Sequence, residues 1–139
     1  MEIKIFDGIS KLALDVRITV FVEEQGFVDE IDDIDKTATH IVVVKNGKSI
    51  ATCRIFKKEN GTDYILGRLA VLKEYRNKGV GSILLKYAED TARLKGAKVL
   101  FLHSQIRAKE FYLKNGYMEF GEIEYEENYP HIWMKKKLN

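Results

Sequence analysis

Residues 76–81, with the sequence RNKGVG, have the composition of an anion site between a predicted strand and a predicted helix. Glycines permit positive φ and a close approach of the backbone to a ligand, so successive N–H groups can point at one anion. The unpaired N–H groups and partial positive charge at the start of the following helix also favour phosphate. Arg76 and Lys78 add formal positive charge at the mouth of this turn. The segment therefore predicts a site for a phosphate or diphosphate.

Two familiar phosphate motifs do not match this segment. A Walker loop requires lysine and then serine or threonine after its glycines, whereas Gly79 is followed by Val80. A dinucleotide fingerprint opens the first strand–helix turn of a βαβ unit, whereas this turn follows an antiparallel meander. The same six residues also suit an ordinary glycine turn with solvated charges. The choice between this turn and an anion site therefore depends on the elements around the segment.

The elements around the turn follow the order β-α-β-β-β-α-β-α-β-β. The pair Asn46 and Gly47 predicts a tight hairpin, and the continuously apolar run KVLFLH predicts a covered parallel strand. One helix is expected over residues 10–25 with Ser10 as its N-cap, and a later helix is expected to begin at Ser104. This order predicts a single mixed α/β domain over residues 1–139, with a twisted sheet of about seven strands and helices on both faces.

Composition and charge argue against several classes of protein. The net charge of +2, with no arginine-rich block, argues against nucleic-acid binding. No apolar run approaches the roughly 20 residues of a membrane span, and the first residues have no signal-peptide core. Cys53 is the single cysteine, which leaves no internal disulfide and no cysteine-based zinc site. We expect a cytoplasmic protein with no nucleic-acid or membrane partner.

A longer pattern surrounds the turn: a strand with V-x-x-x-x-R-x-x-G-x-G, an amphipathic helix, an apolar strand, and then A-x-x-F-Y-x-x-x-G-Y. This pattern resembles the GNAT superfamily of N-acetyltransferases over nearly the whole chain. The matching positions are Val71, Arg76, Gly79 and Gly81 for the coenzyme A motif, and Ala108, Phe111, Tyr112, Gly116 and Tyr117 for the later helix. The segments RITVFVEEQGFVDEIDDID, ATHIVV, LHSQIRAKEFYLKNGY and YPHIWM further resemble the ElaA-like branch.

The resemblance implies acetyl-CoA as the acyl donor and no metal. The backbone of Leu69, Ala70 and Val71 would bind the pantetheine arm, with the Val71 N–H near the thioester carbonyl. This requires a strand that splays from its neighbour, for which KVLFLH is the candidate. The diphosphate would lie on the main-chain amides of Arg76, Asn77, Lys78, Gly79, Val80, Gly81 and Ser82.

The resemblance also implies catalytic residues. Tyr112 would contact coenzyme A and act as the general acid for the departing thiolate. An amine with a pKa near 10.4 is only about 0.04% neutral at pH 7, so a proton acceptor or desolvation is needed. Glu23 and His131 match the ElaA-like pattern as candidate bases. His103 and Gln105 are further acceptor-site candidates, although many relatives have asparagine where this chain has Gln105.

Two arginines and one acidic run each have both a structural and a functional interpretation. Arg54 and Arg68 belong either to a solvated sheet face or to the cleft, where they would favour an acceptor bearing a carboxylate. The acidic run at residues 29–35 lacks the alternation and central glycine of a calcium loop, so we expect a solvated flank. Steering of a cationic acceptor is a secondary interpretation of that run.

The sequence therefore predicts an acetyl-CoA-dependent N-acetyltransferase that acts on a primary amine by direct attack in a ternary complex. The acceptor amine is unidentified, and the chain is expected to be a monomer or a homodimer. The alternative is a non-catalytic acyl-CoA-binding or sensing module that keeps the phosphate site. Tyr112 and the candidate bases favour the enzyme, because a sensor does not need them.

Overall fold

The computed structural model describes residues 1–28, 30–59 and 61–139. Its strands are β1 (Glu2–Asp7), β2 (Thr39–Lys45), β3 (Lys48–Lys57), β4 (Tyr64–Val71), β5 (Val99–Gln105), β6 (Met118–Glu126) and β7 (Tyr129–Lys137). Its α-helices are α1 (Lys11–Arg17), α2 (Val80–Leu94) and α3 (Lys109–Lys114). A π-helical segment (Ile18–Glu24) continues α1, and short 3₁₀ turns occupy Asp33–Lys36, Lys73–Tyr75 and Ile106–Ala108.

The strands form one mixed sheet of seven in the order β1-β2-β3-β4-β5-β7-β6. All neighbours are antiparallel except β4 and β5, which confirms the predicted element order and the parallel strand. Asn46 and Gly47 join β2 to β3 with φ of 52° and 78°, the two positive values that a tight hairpin turn requires.

The sheet splits between β4 and β5. Their parallel register ends after three pairs, of which the last is Leu66 with Leu102. Beyond this pair β4 stays paired with β3 as far as Val71, with one shift of register, while β5 follows β7 as far as Gln105. The two strands therefore diverge, and in the described sheet no strand lies against the β5-facing edge of residues 67–71.

The helices depart from the predicted boundaries in two places. Ser10 caps α1 as expected, because its hydroxyl accepts from the Ala13 N–H at 3.5 Å. The expected single helix instead becomes π-helical after Arg17, where β-branched residues cluster and the Thr19 hydroxyl donates back to the Asp15 carbonyl at 3.1 Å. Ser104 is not a helix cap. It lies within β5, because pairing with β7 extends that strand before α3 begins.

Both faces of the sheet are covered. Val42 and Val44 of β2 pack with Ala13 of α1. Their neighbours Ile41 and Val43 point to the opposite face, where they join the main core with α2. Within the described residues, no helix has both the length and the apolar character needed to cross a membrane.

Candidate active site

A cavity of about 620 Å³ opens where β4 and β5 diverge. Residues 67–69 of β4 line one side, and residues 103–105 of β5 line the other. Tyr112 of α3, together with His131 and Trp133 of β7, forms part of the remaining wall. This volume lies within the range of about 300–1,000 Å³ that is usual for small-molecule sites.

The two glycines of the RNKGVG turn have different roles. Gly79 caps α2 at φ 79°, and a Cβ built there would meet nothing within 4 Å. Its neighbour Asn77 is also left-handed at φ 61°. Gly81 lies inside α2, where a Cβ would come within 3.1 Å of the Phe111 ring. Gly79 therefore leaves open space at the turn, whereas Gly81 lets α3 approach α2 closely.

Arg76 links the π-helical segment to β4 at the edge of this turn. Its Nη atoms donate to the Glu24 carboxylate at 2.6 and 2.7 Å, and its Nε donates to the Val71 carbonyl at 2.8 Å. The hydrogen-bonded pair raises the pKa of Arg76 and lowers the pKa of Glu24. The guanidinium thus holds the π-helical segment against the end of β4.

Tyr112 reaches the cavity from α3 while most of its ring is buried, with 7% of the residue exposed. The rings of Phe111 and Tyr117 contact it at centroid distances of 5.0 and 5.8 Å. Burial raises the pKa of Tyr112 well above its ordinary value. Among the described residues its hydroxyl has no hydrogen-bond partner. The side chain is therefore a protonated donor at neutral pH, held in place by packing.

His131 and His103 lie side by side on the cavity wall, with ring centroids 5.0 Å apart. His131 Nδ1 is 2.8 Å from the Tyr129 carbonyl, which can only accept, so this nitrogen carries a proton. In the neutral ring Nε2 is therefore the basic nitrogen, and it lies 3.5 Å from Glu126 Oε2. The other carboxylate oxygen of Glu126 accepts from His103 Nδ1 at 2.8 Å. One carboxylate thus bridges both rings.

The remaining predicted residues are less closely grouped. Glu23 is exposed on the π-helical segment and does not line the cavity, so it is not brought together with Tyr112 and His131. Gln105 lines the cavity, but its amide donates to Gln25 at 2.9 Å and accepts from Arg107 at 2.7 Å. Gln105 therefore links β5 to the end of the π-helical segment.

An ionic cluster forms part of the cavity wall through Glu30, Asp32 and Arg54. The prediction of a solvated acidic flank is wrong for Glu30 and Asp35, which are buried. Arg17 donates to Glu30 at 2.6 Å and to both oxygens of Asp35 at 2.7 and 2.9 Å. Arg54 donates to Asp35 at 2.8 Å and to both oxygens of Asp32 at 2.6 and 3.0 Å. Arg54 is 3% exposed and lines the cavity, so of its two interpretations the solvated sheet face is the one that does not hold.

The arginines and carboxylates of this cluster neutralise one another. Burial alone would raise the pKa of Asp35, but hydrogen bonds from Arg17, the Asp32 N–H and Arg54 outweigh it and hold that pKa far below its usual range. Asp33 is exposed as expected, and Asp29 of the same run lies outside the described residues. No group of three or more acidic, histidine or cysteine side chains is arranged for a metal within the part of the chain that the structure describes.

Two residues of this region were not anticipated from the sequence. Arg17 occupies a buried position next to Val16 on α1, and a charge within an apolar helical stripe was the available signal. Glu126 stands in an alternating acidic strand, and nothing in that pattern distinguishes it from its neighbours.

The model of the acetyltransferase (GNAT) family matches residues 9–117 of this chain. The chain belongs to the GNAT family. It is therefore an acyltransferase, and family membership supports acyl-CoA-dependent acetyl transfer in general.

Relatives cover most of this GNAT chain. The uncharacterized N-acetyltransferase YjcF of Bacillus subtilis is 37% identical over 129 residues, which is 91% of each chain. Protein ElaA of Escherichia coli K12 is 31% identical, covering 90% of this chain and 85% of ElaA. The crystal structure of Escherichia coli ElaA superposes with a TM-score of 0.87 over 98% of this chain and 99% of that one. These matches confirm the predicted superfamily and the resemblance to ElaA.

A more distant structure shares the fold alone. The crystal structure of an aminoglycoside 6′-N-acetyltransferase complexed with coenzyme A is 17% identical and superposes with a TM-score of 0.77. It covers 100% of this chain and 98% of that chain. The seven-stranded mixed sheet with its flanking helices thus has the GNAT acetyltransferase fold.

Proposed function

We propose that this protein is an acetyl-CoA-dependent N-acetyltransferase in which a primary amine attacks the thioester directly in a ternary complex. The observation that carries the proposal is the divergence of β4 and β5 over a cavity that also contains Tyr112 and His131. The presence of coenzyme A in the distant aminoglycoside enzyme of the same fold supports this donor.

The donor would bind along two backbone segments. The open edge of β4 at Leu69, Ala70 and Val71 has main-chain groups available for a pantetheine arm, because β5 has already diverged. The amides of residues 76–82 surround the turn at Gly79, where open space allows a diphosphate to approach. Arg76 would support this turn through Glu24 and Val71 rather than through direct contact with phosphate.

Proton transfer would use His131 and Tyr112. His131 Nε2, the basic nitrogen in the neutral ring, takes a proton from the ammonium form of the acceptor, and the neutral amine nitrogen then forms a bond to the carbonyl carbon. Glu126 is close enough to stabilise the imidazolium that results. The C–S bond then breaks, the thiolate takes the proton of the Tyr112 hydroxyl, and the second proton lost by the amine nitrogen restores that hydroxyl. We favour His131 over Glu23 as the base because Glu23 does not line the cavity.

An acyl-enzyme route through Cys53 has no support. Cys53 is 1% exposed and does not line the cavity. Burial raises the pKa of its thiol far above the usual value, so the nucleophilic thiolate is not formed at neutral pH. Direct attack needs no such intermediate.

The decisive experiment combines two measurements on the purified protein. Isothermal titration measures the affinity for acetyl-CoA, and thiol release is followed across a panel of primary amines. We expect micromolar binding and thiol release that depends on the amine. Binding without amine-dependent release would favour the sensing module, and no binding at all would refute the proposal.

Gly79→Ala is expected to raise the Kd for acetyl-CoA at least about tenfold, because the added Cβ enters the space proposed for the diphosphate and disturbs its amide donors. Gly96→Ala is the matched control, since Gly96 also has positive φ, at 93°, and open space around it, but follows the other end of α2. Both variants should lose about 1 kcal/mol of stability from backbone strain. Equal affinities in the two variants would contradict a donor site at the turn.

Tyr112→Phe is expected to lower kcat about 10- to 100-fold with little change in KM, because a thiolate leaves without protonation, only more slowly. Tyr125→Phe removes a hydroxyl from a side chain that is 71% exposed on β6 and serves as the control. Steady-state thiol release at saturating acetyl-CoA distinguishes them. Undiminished turnover in Tyr112→Phe would remove its role as the acid.

A further inference from the structure

One residue of β4 has an unusual backbone and faces the cavity. Arg68 has φ 51°, a left-handed value that is uncommon for a residue other than glycine. The register with β3 shifts there: Thr52 pairs with Ala70, but Arg54 pairs with Gly67. Two residues of β4, Arg68 and Leu69, therefore stand opposite one of β3. Such a bulge redirects a side chain, and strained positions of this kind cluster at ligand sites.

Arg68 differs from the other two guanidinium groups of the cluster. Arg17 and Arg54 each hold carboxylates through several short hydrogen bonds and are almost fully buried. The Arg68 side chain is 26% exposed. Its Nε donates to the Glu30 carbonyl at 3.0 Å and lies 3.3 Å from the Glu30 carboxylate. Its Nη2 lies 3.3 Å from an Asp32 oxygen that Arg54 already holds.

Arg68 pairs with Glu30 and Asp32 at longer distances than Arg17 and Arg54 do, and it keeps unused donors. Its Nη1 has no hydrogen-bond partner among the described residues, although the side chain lines the cavity. Burial and the nearby Arg54 lower the pKa of Arg68, although Asp32 and Glu30 act in the opposite direction. A guanidinium with free donors suits a carboxylate, which it can bind through two parallel hydrogen bonds.

The rest of the cavity limits the size and character of the ligand. His131 and Trp133 line another part of the wall, and Phe27 and Phe56 add apolar surface. The volume of about 620 Å³ must also admit the acetyl end of the donor, which favours a small acceptor.

We infer that the acceptor is a small amine that carries a carboxylate, such as a free amino acid. This inference rests on the proposed function. The carboxylate binds Arg68, the amine nitrogen faces His131 Nε2, and the side chain packs on the aromatic wall. A peptide N-terminus lacks this adjacent carboxylate and is a poor acceptor.

The test compares amines that share a side chain and differ in the group beside the amine, with rates expressed per neutral amine because that group also changes the amine pKa. Phenylalanine, phenylalanine amide and phenethylamine form one set; methionine, its amide and 3-(methylthio)propylamine form a second; lysine, its amide and cadaverine form a third. Thiol release from acetyl-CoA gives kcat/KM for each. We expect at least one acid to exceed both its amide and its decarboxylated partner by about 10- to 100-fold, the effect of one charge-assisted pair.

Variants then assign the preference to Arg68. Arg68→Met should abolish the preference for the acid while leaving the affinity for acetyl-CoA unchanged, and Arg68→Lys should retain part of it. Arg93→Met removes a guanidinium that does not line the cavity and should keep the full preference. Unchanged acetyl-CoA affinity shows that a loss in Arg68→Met is not unfolding.

Several results would overturn the inference. Equal or faster turnover of the amides and decarboxylated amines would do so while leaving the N-acetyltransferase intact. A preference for the acid that survives in Arg68→Met would also do so. Binding of acetyl-CoA without thiol release by any member of the three sets would reject this acceptor class, whereas the absence of acetyl-CoA binding would reject the proposed function itself.

Discussion

Replacing His131 with asparagine is expected to lower kcat at pH 7 by about 100- to 10,000-fold, the range for loss of a general base. Asparagine can still donate to the Tyr129 carbonyl as His131 Nδ1 does, but it has no basic nitrogen in place of Nε2. The deficit should shrink as pH rises toward about 10, because the free amine is then neutral without help from the protein. Thiol release across this pH range measures the effect.

His103→Asn provides the comparison for this prediction. It removes the neighbouring ring, which stacks on Trp133 at 4.7 Å, but leaves the proposed base in place. We expect a loss of at most about tenfold in this variant, well below the range for a missing base. Equal losses in the two variants, or a deficit in His131→Asn that does not change with pH, would argue against His131 as the proton acceptor.

Replacing Arg17 with methionine is expected to lower the free energy of unfolding by about 3–5 kcal/mol. Arg17 is the shared partner of Glu30 and Asp35, which are 4% and 0% exposed, so its removal leaves two buried carboxylates with too few cations. The loss corresponds to a fall in Tm on the order of 10–20 °C. Urea unfolding and a thermal melt measure it.

Lys11→Met is the matched control for the stability prediction. Lys11 belongs to the same helix, α1, and its amine lies 3.2 Å from Asp15, but the two side chains are 87% and 51% exposed. An exposed ion pair contributes little, so the change should stay within about 0.5 kcal/mol. A loss in Arg17→Met no larger than in this control would mean that the buried cluster does not hold the structure together.

Local features of the sequence correctly predicted the order of the secondary-structure elements and the turns at Asn46, Gly47 and Gly79. Asn46 and Gly47 adopt the positive φ values that their types favour, and Gly79 opens α2 in the conformation that the RNKGVG turn required. The order of strands and helices followed from the periodicity of apolar residues. These features depend on a few consecutive residues, so no knowledge of distant contacts was needed.

The failures at Ser104 and in the acidic run involve distant partners. Ser104 belongs to β5 because that strand pairs with β7. A serine of the type that caps helices does not reveal this pairing in the sequence. The acidic run became a buried cluster because Arg17 and Arg54 reach it from positions 18 and 19 residues away from Asp35. A charge pattern alone cannot show which cation will neutralise it.

By itself, the sequence determined the order of the elements, the glycine turn at the start of α2 and the membership of the GNAT family. The tertiary structure decided which side chains meet in the cavity: it brought His131 next to Glu126, enclosed Arg54 and left Arg68 partly open. The physical reason is that backbone conformation follows from neighbouring residues, whereas burial and charge compensation depend on groups that only the folded sheet brings together.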